Sequence, residues 1–191
     1  MIIIDLLKFF SCIPDRKGVN DIFLNGRSKL PGYTELKDYI YQLPEPVIPG
    51  IKYLVFGQSL EAVKRRVDKV SGVYLFVDFG EFSSDRNSNN SIEDTQRLAV
   101  TVAMKVSNSA DIIEEVLVSD NTLDLLNHVR AFMLAYKDKC SWIDMLSRKH
   151  SIVPFESKEL NSIGWTLMFD VSASDWFNLK EKSMSYAKQR L

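Results

Sequence analysis

Apolar and polar residues change rhythm several times along this chain, and each change marks an element. Leu60, Val63, Val67 and Val70 recur on one helical face, while Glu61, Lys64, Arg65, Asp68 and Lys69 fall on the other. That spacing predicts an amphipathic helix of about three turns, with Ser59 as its N-cap and Gly72 as a left-handed stop. Val73, Leu75, Val77 and Phe79 then alternate at period two, and Tyr74 and Phe76 make the reverse side apolar as well. A strand covered on both faces follows. Leu98, Val100, Val102, Met104 and Val106 alternate with Arg97, Ala99, Thr101, Ala103 and Lys105, which predicts a strand with one solvated face. Between the two strands, Ser83 to Thr95 is polar except for Ile92, so the expectation there is a mobile hairpin loop joining an antiparallel pair.

Farther on, Asp111 to Val118 suits a short helix, and Asn121 or Thr122 is placed to cap a longer one. In that longer helix Leu123, Leu126, Val129, Met133 and Tyr136 share a face, widened by Leu125 and Phe132 so that it can cover a sheet. Ile152 to Phe155 reads as an edge strand, because Pro154 lacks the donor a central strand needs. Ile163, Trp165, Leu167, Phe169 and Val171 alternate with Gly164, Thr166, Met168 and Asp170, and form the clearest strand in the chain. Beyond Asp175 the sequence turns Lys-rich and suits a terminal helix or a frayed tail.

The first fifty residues are punctuated by Gly18, Gly26, Pro31 and Gly32, with Tyr33 to Leu43 suited to a helix. Pro44, Pro46 and Pro49 end it, so Leu43 to Gly50 should be an extended connector, followed by a short strand over Ile51 to Phe56 and a stop at Gly57. The organisation expected is an N-terminal arm or subdomain (1–50), a core domain (51–176) and a C-terminal tail (177–191). The fold class is α+β, a mainly antiparallel sheet flanked by two helices.

Composition narrows the function classes. The chain has 191 residues, 46% hydrophobic and 26% charged, which suits one folded domain with appendages. Twenty-four basic residues against 25 acidic ones give a net charge of -1, so no overall field favours nucleic acid or an anionic membrane. Cys12 and Cys140 lie far apart in sequence with no metal-type spacing, which points to reduced thiols in a cytoplasmic setting. Asp5 and Lys8 interrupt the apolar start of the chain, so a secretory signal is not expected, and no stretch has the length of a membrane span.

Catalytic patterns are sparse. Asp78, Glu81 and Lys105 are the nearest approach to a metal-dependent nuclease, but Ala103 stands where the restriction-type pattern requires an acid. Asp78 is otherwise a strand-end charge, and Glu81, Asp85, Glu93 and Asp94 are solubilising loop residues. His128 and His150, the two histidines, lack the i, i+4 histidine or nucleophile-elbow context of helical zinc or triad chemistry. Gly57, Gly72 and Gly80 form no phosphate-binding loop. No catalytic residue, metal ligand or cofactor is therefore expected. Trp176 and Phe177 follow the last strand where alternation has ended; they either fold back on the domain or form an interface core.

The segments LEAVKRRVDKV, VYLFVDFGEF with its polar loop, TQRLAVTVAMKV, TLDLLNHVRAFMLAY and IGWTLMFDV, over about residues 59 to 172, resemble the tail terminator or tail completion proteins of long-tailed bacteriophages. The likeness lies in hydrophobic pattern and element order. It implies a structural protein of phage or prophage origin without enzymatic activity, in the virion or the host cytoplasm. It further implies a ring, commonly a hexamer, that caps the tail tube and joins it to head-completion proteins, without nucleic acid or membrane as partner. The interface residues expected on this reading are Asp85, Arg86, Glu93, Asp94, Trp176 and Phe177. The alternative is a small metal-dependent nuclease or hydrolase using Asp78 and Glu81.

Overall fold

A computed structural model of the chain describes residues 2–23, 28–58, 60–86, 92–107, 109–136, 146 and 149–174, without the side chains of 2, 60–62, 92, 93 and 172–174. In chain order it contains α1 (Ile2–Phe10), α2 (Arg16–Asn20), α3 (Tyr33–Tyr41), β1 (Tyr53–Phe56), α4 (Leu60–Val67), β2 (Val73–Asp78), β3 (Phe82–Arg86), β4 (Ile92–Lys105), α5 (Ile112–Ala135), β5 (Ser151–Ser157) and β6 (Ser162–Ser174). The six strands form one sheet in the order β1-β2-β4-β6-β5, with β3 also paired to β4. β1 runs parallel to β2 across the α4 crossover, and every other pairing is antiparallel. The fold is α+β with a mostly antiparallel sheet. The antiparallel pairing of the strand after Gly72 with Gln96 to Val106 is as the sequence predicts.

Strand alternation assigns each side chain to a face. On one face Leu54, Val73, Leu75, Val77, Leu98, Val100, Val102, Leu167, Phe169 and Val171 are buried together with Leu6 and Phe10 of α1 and Leu126, Val129 and Met133 of α5. On the other, Val55, Tyr74 and Ala103 are buried with Val63, Val67 and Val70 from α4 and its following turn, and with Leu160. α4 and α5 therefore lie on opposite faces. Both faces of β2 are covered, as its two-sided apolar pattern requires. The face of β4 expected to be solvated is open at Arg97 and half-covered at Ala99 and Lys105, but Thr101 and Ala103 are buried on it, and the Thr101 hydroxyl shares a 2.8 Å hydrogen bond with that of Thr166. A short polar side chain can line a covered face when a cross-strand partner satisfies it.

The first fifty residues carry three helices, and Leu6, Phe10, Ile13, Val19, Ile40 and Ile48 enter the larger core cluster. Their backbone is tied to the sheet, since Asp15 N–H donates to the Ile51 carbonyl at 2.9 Å and Gly18 forms a parallel bridge with Tyr53. Arg16 closes the end of α1 by donating to the Ser11 and Cys12 carbonyls, each at 2.8 Å. Leu43 to Gly50 contains no regular element, as its prolines predict.

The stretch from 111 onward corrects the two-helix expectation. α5 is one helix of 24 residues, opened by a capping box in which Asp111 accepts from the Ile113 and Glu114 N–H groups while Glu114 accepts from the Asp111 N–H. Thr122 caps nothing. Its hydroxyl donates back to the Val118 and Ser119 carbonyls within the continuous helix, at 2.8 and 3.0 Å.

Candidate functional site

Ser83 to Thr95, expected as a mobile loop, is largely ladder: β3 pairs with β4 from Phe82 opposite Gln96 to Arg86 opposite Ile92. The strands continue because the backbone meets its own partners even where the side chains are polar. Between β2 and β3, five positions (Asp78 to Phe82) oppose four (Ala99 to Gln96), which inserts one extra residue and makes a β-bulge. Gly80 sits in it at φ +26, and a Cβ there would come within 2.6 Å of the Arg97 carbonyl. The bulge is fully braced. Asp78 accepts from the Gly80 N–H at 2.9 Å, buried Gln96 donates to the Phe79 carbonyl at 2.8 Å, Gln58 donates to that of Gly80 at 3.0 Å, and Arg97 N–H donates to that of Glu81 at 3.0 Å.

This bracing sets the positions of the sequence-predicted residues. Asp85 stands opposite Glu93 in the ladder, and Arg86 and Asp85 are exposed. Asp94, in contrast, is only 1% exposed and accepts a hydrogen bond from the Ser84 hydroxyl across the pair, so it serves the ladder and presents no surface. Trp176 and Phe177 lie outside the described residues. Asp78 spends a carboxylate oxygen on the bulge, and Glu81 is exposed beside it. Lys105 is six residues farther along β4 than Ala99, the partner of Asp78, about 20 Å away at strand rise. The three do not converge, and among the described residues no group of three or more His, Cys, Asp or Glu side chains is placed to hold a metal ion.

The histidines are separate as well. His128 lies 3.8 Å from Asp124, one helical turn away, with both side chains mostly in solvent. His150 has both ring nitrogens occupied: Arg130 Nε donates to Nε2 at 2.9 Å, so Nδ1 carries the proton and donates to the Leu146 carbonyl at 2.9 Å. Cys12 donates to the Lys8 carbonyl, and burial pushes its thiol up, against the opposing pull of Arg16. Such a thiol is a poor nucleophile.

Two surfaces stand out that the sequence reading missed. The first is the N-terminal end of α5, where Ile112, Ile113, Val116 and Leu117 are 57–73% exposed. At about 100° per residue their mean direction lies roughly 140° around the helix from that of buried Thr122, Leu126, Val129 and Met133. They cannot share the core-facing stripe. The second is a cavity of about 330 Å³ between α2, β1 and α4, floored by Leu54, Val55 and Val70 and rimmed by Arg65, Arg66 and Lys69. Arg66 also donates to the Phe56 carbonyl, which closes the outer edge of β1 at that end as Gly18 does at the other.

No family model, curated protein or solved structure matches the chain.

Among the described residues no helix is long and apolar enough to cross a membrane. The exposed stripe of α5 could have been anticipated from the absence of any Gly or Pro between Asp111 and Tyr136, which leaves the helix no reason to break.

Proposed function

We propose that this chain is a structural subunit of an assembly, and that the assembly is a ring which caps a bacteriophage tail tube and joins it to the head, as its resemblance to tail terminators implies. The observation that carries the reading is the run of four large aliphatic side chains exposed at the start of α5. An exposed aliphatic cluster on a folded domain marks a contact surface. The β3–β4 ladder, which exposes Ser83, Asp85 and Arg86 beyond the bulge, supplies a second surface that suits tube contact. On this reading the protein acts by binding copies of itself, tail tube subunits and head-completion proteins, in the virion or the host cytoplasm, and turns over no substrate.

The test uses the full chain and purified tail tube protein. Light scattering coupled to gel filtration should show an oligomer, electron microscopy should show closed rings, and adding the protein to growing tubes should stop elongation at one end. A chain that stays monomeric at high concentration and leaves tube growth unchanged overturns the reading.

A further inference from the structure

The two surfaces that the sequence reading missed fit one another in both shape class and charge. Residues 111–120 contain Asp111, Glu114, Glu115 and Asp120 and no basic residue, a local charge of -4 around the exposed Ile112, Ile113, Val116 and Leu117. Residues 64–69 contain Lys64, Arg65, Arg66 and Lys69 against Asp68 alone, a local charge of +3, beside the cavity floored by Leu54, Val55 and Val70, where Arg65, Arg66 and Lys69 outnumber the one acidic lining residue, Asp21. A chain with a net charge of -1 thus segregates an acidic apolar knob from a basic apolar hollow. The cavity has the size of the smallest ligand pockets, about 300 Å³.

Within one molecule the two are held apart, since the start of α5 is anchored through Ser119 to Trp165 of β6, whereas the cavity lies against β1, with β2 and β4 between them in the sheet. We propose that the N-terminal end of α5 in one copy seats in the α2–β1–α4 cavity of the next, with Asp120, which lies in the direction of the exposed stripe, toward Arg65 and Lys69. The knob and the hollow are different patches, so the contact is heterologous: each copy offers one free knob and one free hollow, and repetition gives a closed ring or an open stack. The inference rests on the reading of the chain as an assembly subunit, though not on which assembly it builds.

Sedimentation of the full chain over a concentration series tests it. Wild-type protein should associate beyond a dimer, more weakly at high salt because exposed charges are screened within a Debye length. A hollow variant, Arg65→Glu with Lys69→Glu, and a knob variant, Val116→Gln with Leu117→Gln, should each associate at least about tenfold more weakly, as loss of central anchors does. All four side chains are exposed or rim the cavity, so circular dichroism should show both variants folded like wild type. The deciding sample is their mixture. It holds one intact knob and one intact hollow per pair and should form a one-to-one dimer and nothing larger. Wild-type protein that stays monomeric, association untouched by either variant, or a mixture without the dimer overturns the proposal. Tube binding on the same samples separates the two readings: self-association through this contact without tube binding leaves the inference standing and removes the tail reading, while tube capping by a monomer does the reverse.

Discussion

The indole nitrogen of Trp165 donates to both the carbonyl oxygen and the hydroxyl of Ser119, each at 3.0 Å, and this forked bond marks where α5 passes from free to packed. Before Ser119 the helix exposes Ile112, Ile113, Val116 and Leu117; after it Thr122, Leu126, Val129 and Met133 are buried. Trp165 is on β6, so the sheet holds the helix at the last point before it projects into solvent.

Replacing Trp165 with Phe keeps an aromatic ring but removes the donor. The Ser119 carbonyl is already shared with the Thr122 hydroxyl, so it is not left wholly unpaired. The expected loss is therefore about 1–2 kcal/mol, from one hydrogen bond plus the smaller ring. Urea denaturation followed by circular dichroism reads it, and an unchanged midpoint would show that the forked bond contributes nothing net.

Gly164 lies in the centre of the sheet, opposite Ala103 on one side and Phe155 on the other. A Cβ there would come within 2.1 Å of the Val102 carbonyl oxygen and 2.6 Å of the Ala103 Cα. Those are backbone atoms of the neighbouring strand and cannot turn aside as a flexible side chain could. Gly164→Ala should cost about 3 kcal/mol, at the upper end of overpacking effects, by forcing β4 and β6 apart. A thermal midpoint within a degree or two of wild type would refute that geometry.

Much of this architecture is visible in the order of the residues, and the misses share a cause. The alternation at Val73 to Val77, Leu98 to Met104 and Ile163 to Val171 gives strands because each buries a row of side chains against helices. Tyr33 to Tyr41 forms a helix where expected. What failed depended on partners remote in sequence. Ser83 to Thr95 reads as a loop because its side chains are polar, yet β6 and β3 flank the start of β4 and satisfy its backbone on both sides. Asp94 reads as a surface charge until Ser84 is brought opposite it. The basic hollow was invisible because Leu54, Val70 and Arg65 meet only once α4 crosses from β1 to β2.

Tyr74 gives a pH-dependent prediction. Its phenol is buried without a well-formed hydrogen bond; burial pushes it above its ordinary value near 10, and only the Ser162 hydroxyl works against that shift. The folded state thus keeps the phenolic proton longer than the unfolded state. Above pH 10 the native form binds more protons than the unfolded form, so its contribution is intact below that pH and is lost as pH climbs from the unfolded toward the folded value. Tyr74→Phe should be nearly neutral or slightly stabilising at pH 7, since the lost hydroxyl leaves no partner behind. It should also resist alkaline unfolding better than wild type. Urea midpoints at neutral and alkaline pH decide it: a variant that loses equally at both would place a hydrogen bond on that hydroxyl.

The capping box at the start of α5 acts on a stretch that packing barely supports. Asp111 holds the Ile113 and Glu114 N–H groups, both at 2.9 Å, while the apolar side chains of the next two turns point into solvent. Helix in such a stretch depends on its cap to an unusual degree, because burial contributes little there and isolated turns are unfavourable. Asp111→Ala should cost about 1 kcal/mol, as loss of an N-cap does, and the loss should be local. Hydrogen exchange at the amides of 113–118 should then speed up by about fivefold, the equivalent of that energy, while the amides around Leu126 and Val129 keep their wild-type protection. Uniform acceleration along the whole helix would mean that the cap supports the global fold. No change at all would mean that the exposed turns are held by a contact other than the cap, such as a neighbouring copy seated on them.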